Sequence, residues 1–146
     1  SSSGTLRTAA RHANEWNTTG TPIKTKAALI QQMRRICAEV GRDFSTLRLS
    51  HQMTLHLTDS KADAEKFYER QVSLANSNPR FKLQPQYISV EEQVRDGSIA
   101  GGTAEISEGL QRWAALGITH LNMHTPRPFK RAVLESIAKD VFPVFS

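Results

Sequence analysis

A single cysteine, Cys37, stands in a chain of 146 residues. No internal disulfide can form, and no cysteine spacing suits a metal. No run approaches the ~20 apolar residues that a membrane-spanning helix needs, and no apolar segment follows a basic stretch as in a signal peptide. The expectation is a reducing, cytoplasmic setting with no membrane partner. Motifs of self-sufficient chemistry are also missing: there is no G-x-S-x-G, no P-loop and no G-x-G-x-x-G. If the protein does redox work, a borrowed cofactor carries it, and the chain supplies phosphate grip, orientation and walls.

What is present describes an ordinary globular chain, 38% hydrophobic and 23% charged. Its length suits one domain, residues 1–146, with a real core. The net charge of +5 raises the question of nucleic acid. Residues 1–60 hold eight Lys and Arg against four acids, 61–100 six against six, and 101–146 five against four. The excess is mild and spread over solvated faces. Only 33–35 and 127–131 are locally basic, and neither is interleaved with aromatic residues. No nucleic-acid partner is expected, and an anionic small ligand accounts for the charge at least as well.

Along the chain, "TLRTAARHA" (5–13) predicts a helix with Leu6, Ala9, Ala10 and Ala13 on one stripe. Trp16 lies in a short extended stretch. Thr21 and Pro22 predict a helix start, with Thr21 as cap. Ile23, Ala27, Ile30, Met33 (or Arg34), Cys37 and Val40 form its stripe, and Gly41 ends it. "LRLSHQMTLHL" (47–57) alternates, with Leu47, Leu49, His51, Met53, Leu55 and Leu57 on one face. A helix follows over 60–77. Residues 78–102, with two prolines and three glycines, are expected to form an irregular excursion containing a short helix from Val90. A helix over 103–117, a strand over 118–125 and a final helix complete the pattern.

Strands alternating with covering helices predict an α/β architecture with a parallel sheet. Three strands cannot close a barrel, and the chain opens on a helix with no strand before it. The pattern is that of a piece of something larger.

Three stretches carry a resemblance: "SSSGTLRTAARHANEWNTTGTP", "ICAEVGRDFSTLRLSHQMTLHLTD" and "GGTAEISEGLQRWAALGITHLNMHTPRPF". Together they resemble the carboxyl-terminal half of the luciferase-like monooxygenase family, and more narrowly its deazaflavin-dependent oxidoreductase branch. The likeness covers nearly the whole chain in order, with 78–102 least matched. It implies a partial (β/α)8 TIM barrel, a fold that usually takes ~250 residues. Here its carboxyl-terminal half would supply three parallel strands with covering helices. The family's "GGSG"-like turn appears here as "SSSG", and its "GTPEE" as "GGTAE".

The turn Ser2, Ser3, Gly4 and Thr5 feeds a helix start, where backbone N–H groups and the helix dipole receive a phosphate well. The resemblance implies that it holds the phosphate of FMN or of the deazaflavin coenzyme F-420. A simple cap, or an expression remnant, is the plainer reading of the same residues. Late strand positions face a barrel's active site, so His56, His124, Thr125 and Arg127 are candidates to line a pocket. Arg127 would offer a cation. The plainer reading of each is a satisfied polar side chain inside a barrel. His120 and His124 are roughly 13 Å apart along a strand, too far to share a metal ion, so no metal is expected. Catalytic residues are not identified. Trp16 and Trp113 read as packing, and Cys37 as a buried thiol.

The resemblance thus implies part of a flavin- or deazaflavin-dependent oxidoreductase or monooxygenase, acting by hydride transfer or reductive activation of oxygen. Its partners would be a small-molecule cofactor and substrate, with a missing amino-terminal half-barrel or a homodimer partner. Alone, the chain would be inactive. The alternative is a non-catalytic α/β scaffold or interaction domain that self-associates through exposed sheet edges and an uncovered apolar face.

Overall fold

A computed structural model describes residues 3–19, 21–124 and 131–141. Its organising element is a ten-residue strand, β2 (Arg48–Leu57), on which every other strand pairs in parallel. Strand β1 (Glu15–Asn17) aligns Trp16 with Leu49, and β4 (His120–His124) aligns Asn122 with Gln52. A further strand, β3 (Ser98–Gly101), aligns Leu55 with Ile99. The segment 78–102 is therefore not irregular throughout. It contains the expected helix, α4 (Val90–Asp96), followed by a fourth strand.

Backbone parity explains that strand. Even-numbered residues of β2 point their peptide groups to one edge, where Ser50 O accepts from Thr18 N at 2.8 Å. Odd-numbered ones serve the other, where Leu49 O accepts from Thr119 N at 3.1 Å. Since β1 ends at Asn17, the far half of its edge would be left unpaired, and buried peptide groups demand partners. Thr19 Oγ1 accepts from Gln52 N at 3.1 Å, and Gly97 O accepts from Thr54 N at 2.9 Å. So β1 and β3 share one edge of β2 in tandem, and β4 takes the other. Among the described residues, the outer edges of β1, β3 and β4 have no strand partner.

Helices cover one face. Helices α1 (Ser3–His12), α2 (Ile23–Glu39) and α5 (Thr103–Ala114) meet the odd-numbered side chains of β2. Leu6, Met33, Leu49, Met53, Leu55, Ile106, Leu110 and Trp113 form the centre of that core. Helix α3 (Lys61–Ser77) starts immediately after β2, and Ala64 and Phe67 pack on Ala100 of β3. Helix α6 (Arg131–Ser136) runs into a π-helical turn.

The other face is not the apolar surface expected of an open barrel fragment. It presents Glu15, Asn17, Arg48, Gln52, His120, Asn122 and His124, all exposed, with buried Ser50 among them. The alternation that places leucines toward the helices places polar residues here. This face therefore does not demand an apolar partner.

The start of α2 also departs from expectation. Pro22, not Thr21, is the N-cap and makes no side-chain cap bond. The first N–H, that of Ile23, is instead met by Asp96 Oδ1 at 3.1 Å, a carboxylate placed where the helix dipole favours it. At the other end Gly41, with φ of 75°, takes the left-handed turn that stops the helix. Within the first turns Lys26, not Ala27, points inward and is fully buried.

Lys26 Nζ donates to the Thr18 carbonyl and lies 5.2 Å from the Trp113 ring centroid. His51, 2% exposed, stacks on the same indole at 3.8 Å, and neither ring nitrogen makes a hydrogen bond. Burial pushes Lys26 down to about 8, against the pull of Asp96. Burial, and then the Lys26 charge, push His51 down to about 4, with the Thr18 backbone opposing.

The unfolded chain therefore binds more protons between pH 4 and 6.5 through His51, and between 8 and 10.5 through Lys26. Through these two groups stability rises with pH across both windows, while Cys37 and Tyr87, whose pKa values are raised, oppose the rise toward the top of the upper one. Replacing Lys26 with Met should raise stability at pH 7 by about 1–3 kcal/mol and flatten the upper window. Urea midpoints measured from pH 4 to 10.5 check this, and an unchanged upper slope in Lys26→Met would contradict it.

Candidate functional site

In a parallel α/β layout each helix runs antiparallel to the strand it feeds, so helix starts and strand ends gather at one side of the sheet. That side holds the ends of β1 through β4 and the first turns of α1, α3 and α5. It is the candidate site.

His56 and His124 share the polar face. His124 pairs in register with Thr54, and His56 is two residues further along β2, so their Cα atoms lie roughly 8 Å apart by sheet spacing. His124 Nε2 is 2.7 Å from Gln52 Nε2. With the amide nitrogen as donor, the imidazole Nε2 accepts there. His56 stacks on Phe67 at 4.5 Å, and burial lowers its pKa. Thr125 and Arg127 lie outside the described residues.

At the far end of the face, Glu15 is 3.5 Å from Arg48. The Ser50 hydroxyl holds the Glu15 carboxyl below its ordinary range, with the charges of Arg48 and His120 adding to it. Among the described residues no group of three or more His, Cys, Asp or Glu is placed to hold a metal ion.

Ser3, Gly4 and Thr5 are not a separate turn. They form the exposed first turn of α1, with Gly4 O accepting from Thr8 Oγ1 at 3.1 Å. Ser2 lies outside the described residues. Arg7 is engaged with Glu39 at 2.5 Å, so its charge is directed away from that turn.

The helix starts differ in charge. Asp96 sits on α2, Asp63 in the first turn of α3, and Glu91 and Glu92 in that of α4. On α5, Glu105 Oε2 accepts from Gly102 N at 3.1 Å. The first turn of α1 has no acid. Of these five, α1 and α2 have no acid in their own first turn, and α2 receives Asp96 from the end of α4.

The sequence reading did not single out the α3 side of the site. Phe67, Arg70, Gln71 and Leu74 line a cleft of about 420 Å³ with His56, Asp63 and Lys66. Their spacing of three, four and seven residues was a readable signal, since it puts them on one helix face. What sequence could not show is that α3 folds back over the end of β2. Trp16, Trp113 and Cys37 are all buried, and burial raises the Cys37 thiol pKa.

Residues 1–120 match the profile of a family described as luciferase-like monooxygenase. No curated protein sequence matches the chain. Among solved structures, an F420-dependent secondary alcohol dehydrogenase in complex with an F420-acetone adduct superimposes with a TM-score of 0.71 at 16% identity, covering 97% of this chain and 46% of its own. A coenzyme F420 dependent tetrahydromethanopterin reductase from Methanopyrus kandleri gives 0.70 at 15% identity, covering 97% and 48%. An EDTA monooxygenase from Chelativorans sp. BNC1 gives 0.69 at 12%, covering 98% and 42%. At these identities the likeness concerns fold. The chain spans less than half the length of each of these structures, as part of a TIM-barrel architecture.

The join between β3 and α5 at this side is tightly specified. Gly101 has φ of 155°, and a Cβ there would lie 2.7 Å from Glu105 Cβ. Gly101→Ala should cost about 2–4 kcal/mol in urea unfolding. Gly97→Ala, whose Cβ would meet Gln93 O at 3.4 Å, should stay within about 1 kcal/mol. Equal effects at the two sites would refute the constraint.

Proposed function

Because the chain belongs to the luciferase-like monooxygenase family, we propose that it is the carboxyl-terminal portion of a barrel oxidoreductase whose redox group is FMN or the deazaflavin coenzyme F-420. The observation that carries this reading is the first turn of α1, exposed and free of acidic residues, on the side of the sheet where a parallel layout gathers helix starts. Ser2, Ser3, Gly4 and Thr5 hold the cofactor phosphate there. Ser3 and Gly4 offer backbone N–H groups to it, and the absence of a side chain at Gly4 permits close approach. Structural neighbours support both cofactors: one carries an F420-acetone adduct, and another is a riboflavin lyase with modified FMN.

When bound, the group supplies hydride transfer or reductive activation of oxygen. The chain's own residues bind, orient and enclose. His56, and His124 with Gln52, line the mouth on the polar face, and Thr125 and Arg127, next after β4 in the sequence, are proposed as further contacts, Arg127 as a cation for an anionic group. The walls supplied by the other strands of a barrel are not in this chain, so alone it binds cofactor weakly and turns nothing over. A complementing half-barrel or a second copy completes it. The unpaired strand edges favour a second reading, a non-catalytic domain that self-associates.

Titration of the chain with FMN and, separately, coenzyme F-420, read by fluorescence quenching with light scattering for mass, tests the proposal. Weak saturable binding is expected, and Gly4→Asp should reduce it about tenfold or more by placing a carboxylate at the helix start. Binding indifferent to Gly4→Asp overturns the phosphate turn. Turnover by the chain alone overturns its incompleteness. A dimer that binds neither ligand selects the second reading.

A further inference from the structure

We propose that the cleft between α3 and the end of β2 binds an organic acid, with Arg70 pairing its carboxylate and the Phe67–His56 stack receiving its apolar body. This names a substrate chemistry for the site proposed above. The binding claim itself rests on the cleft and stands without a cofactor.

The cleft is built by topology. Helix α3 begins straight after β2, with Ser60 Oγ accepting from Asp63 N at 3.1 Å to cap it. The helix then crosses the end of the polar face, where Phe67 is buried against His56 at an interplanar angle of 20°. This gives a flat, rigid wall. Leu74, 53% exposed, extends the wall outward and leaves apolar surface facing the cleft. The volume of about 420 Å³ falls within the range of small-ligand sites.

Charge selects the ligand. Asp63 and Lys66 neutralise each other at 3.1 Å, and Asp63 also accepts from Ser60 Oγ. Arg70 has no hydrogen bond or ion pair among the described residues, and neither does the Gln71 side chain. The lining therefore carries one uncompensated cation, a planar fork suited to a carboxylate, beside an amide that can add a bond. The larger cleft of about 750 Å³ between α3 and α4 contrasts with it. There Arg95 is already bound by Glu65 and Glu91, and Glu69 leaves the lining acidic. An anion is repelled there and welcomed here.

The acid could come from substrate or from cofactor, and the shared chemistry is an acidic group beside a flat apolar body. The probe is 2-naphthoate, titrated into the full chain and followed by amide chemical shifts, with neutral 2-naphthamide and acetate as comparisons. Saturable shifts are expected at His56 and across 66–74. Naphthamide and acetate should each bind about tenfold more weakly, as loss of a charged pair or of the apolar body predicts. Arg70→Leu, at an exposed position, should cost about tenfold, and Arg70→Lys should recover part of it. Added FMN that displaces naphthoate assigns the acid to the cofactor, whereas coexistence assigns it to the substrate.

Shifts that map elsewhere, equal binding of naphthamide, or an unaffected Arg70→Leu overturn the proposal. Gly4→Asp should leave naphthoate binding unchanged. Failure of the phosphate turn and failure of this cleft are thereby told apart.

Discussion

The pairing capacity of β2 is the constraint on which the rest of the structure depends. Its even-numbered peptide groups serve one edge and its odd-numbered groups the other, so each neighbour has its place set by parity. With ten residues against three in β1, β2 leaves several peptide groups that β1 cannot reach. Thr19 covers one, and β3 covers the rest. Once β3 is drawn to that edge, α4 and α5 are fixed at its two ends. The chain from Val90 to Ala114 is then held to the sheet by hydrogen bonds made outside its own helices. The same parity separates the side chains into an apolar face toward α1, α2 and α5 and a polar face away from them.

Asp96 joins this arrangement to the helical layer. One oxygen receives the Ile23 N–H at the start of α2, and the other receives the Tyr87 hydroxyl at 2.9 Å. Burial and this carboxylate together raise the Tyr87 pKa, so the hydroxyl keeps the proton it donates. Lys24 reaches Glu92 at 2.5 Å beside it, an exposed pair of small energetic consequence. The carboxylate also favours the buried ammonium of Lys26. Lys26 and His51 flank one indole, and both are destabilised as cations by burial. A core that wanted only stability would place apolar side chains at both positions.

Regular periodicity was legible in the sequence. The alternation of 47–57, the stripes of α1 and α5 and the stop at Gly41 all follow from side-chain pattern and local conformation. The order of elements led to a partial barrel, which the family match and the fold likeness support. Long-range substitution was not legible. Nothing local reveals that Asp96, seventy-three residues away in sequence, would cap α2 in place of Thr21. Nor does periodicity explain why Lys26 turns inward, because the Thr18 carbonyl and the Trp113 face that receive it come from distant segments. β3 was hidden for a related reason. Its four residues, "SIAG", are too few to alternate visibly, and their strand character comes from the edge that β2 offers. That His56 and His124 lie late on their strands was legible from position. That Arg70 and Phe67 lie near His56 was not, because their relation to it depends on α3 crossing the strand end.

The two faces differ in how complete they are. The helix-facing side is closed by apolar packing, and its principal members are nearly inaccessible. The polar side carries His120, Asn122, His124, Gln52 and Arg48 in the open, between strand edges that have no partner among the described residues. Hydrophobic burial cannot be what completes this side, since it has little apolar surface to bury. Backbone pairing at the outer edges of β1 and β4 would turn exposed polar residues into the lining of an enclosed space. Enclosure lowers the local dielectric and strengthens every charge interaction within it. The acid-free start of α1 and the Arg70 cation, unpaired among the described residues, are weak attractors in water that such a wall would strengthen. The effectiveness of the two proposed anion sites would thus depend on what closes the edges.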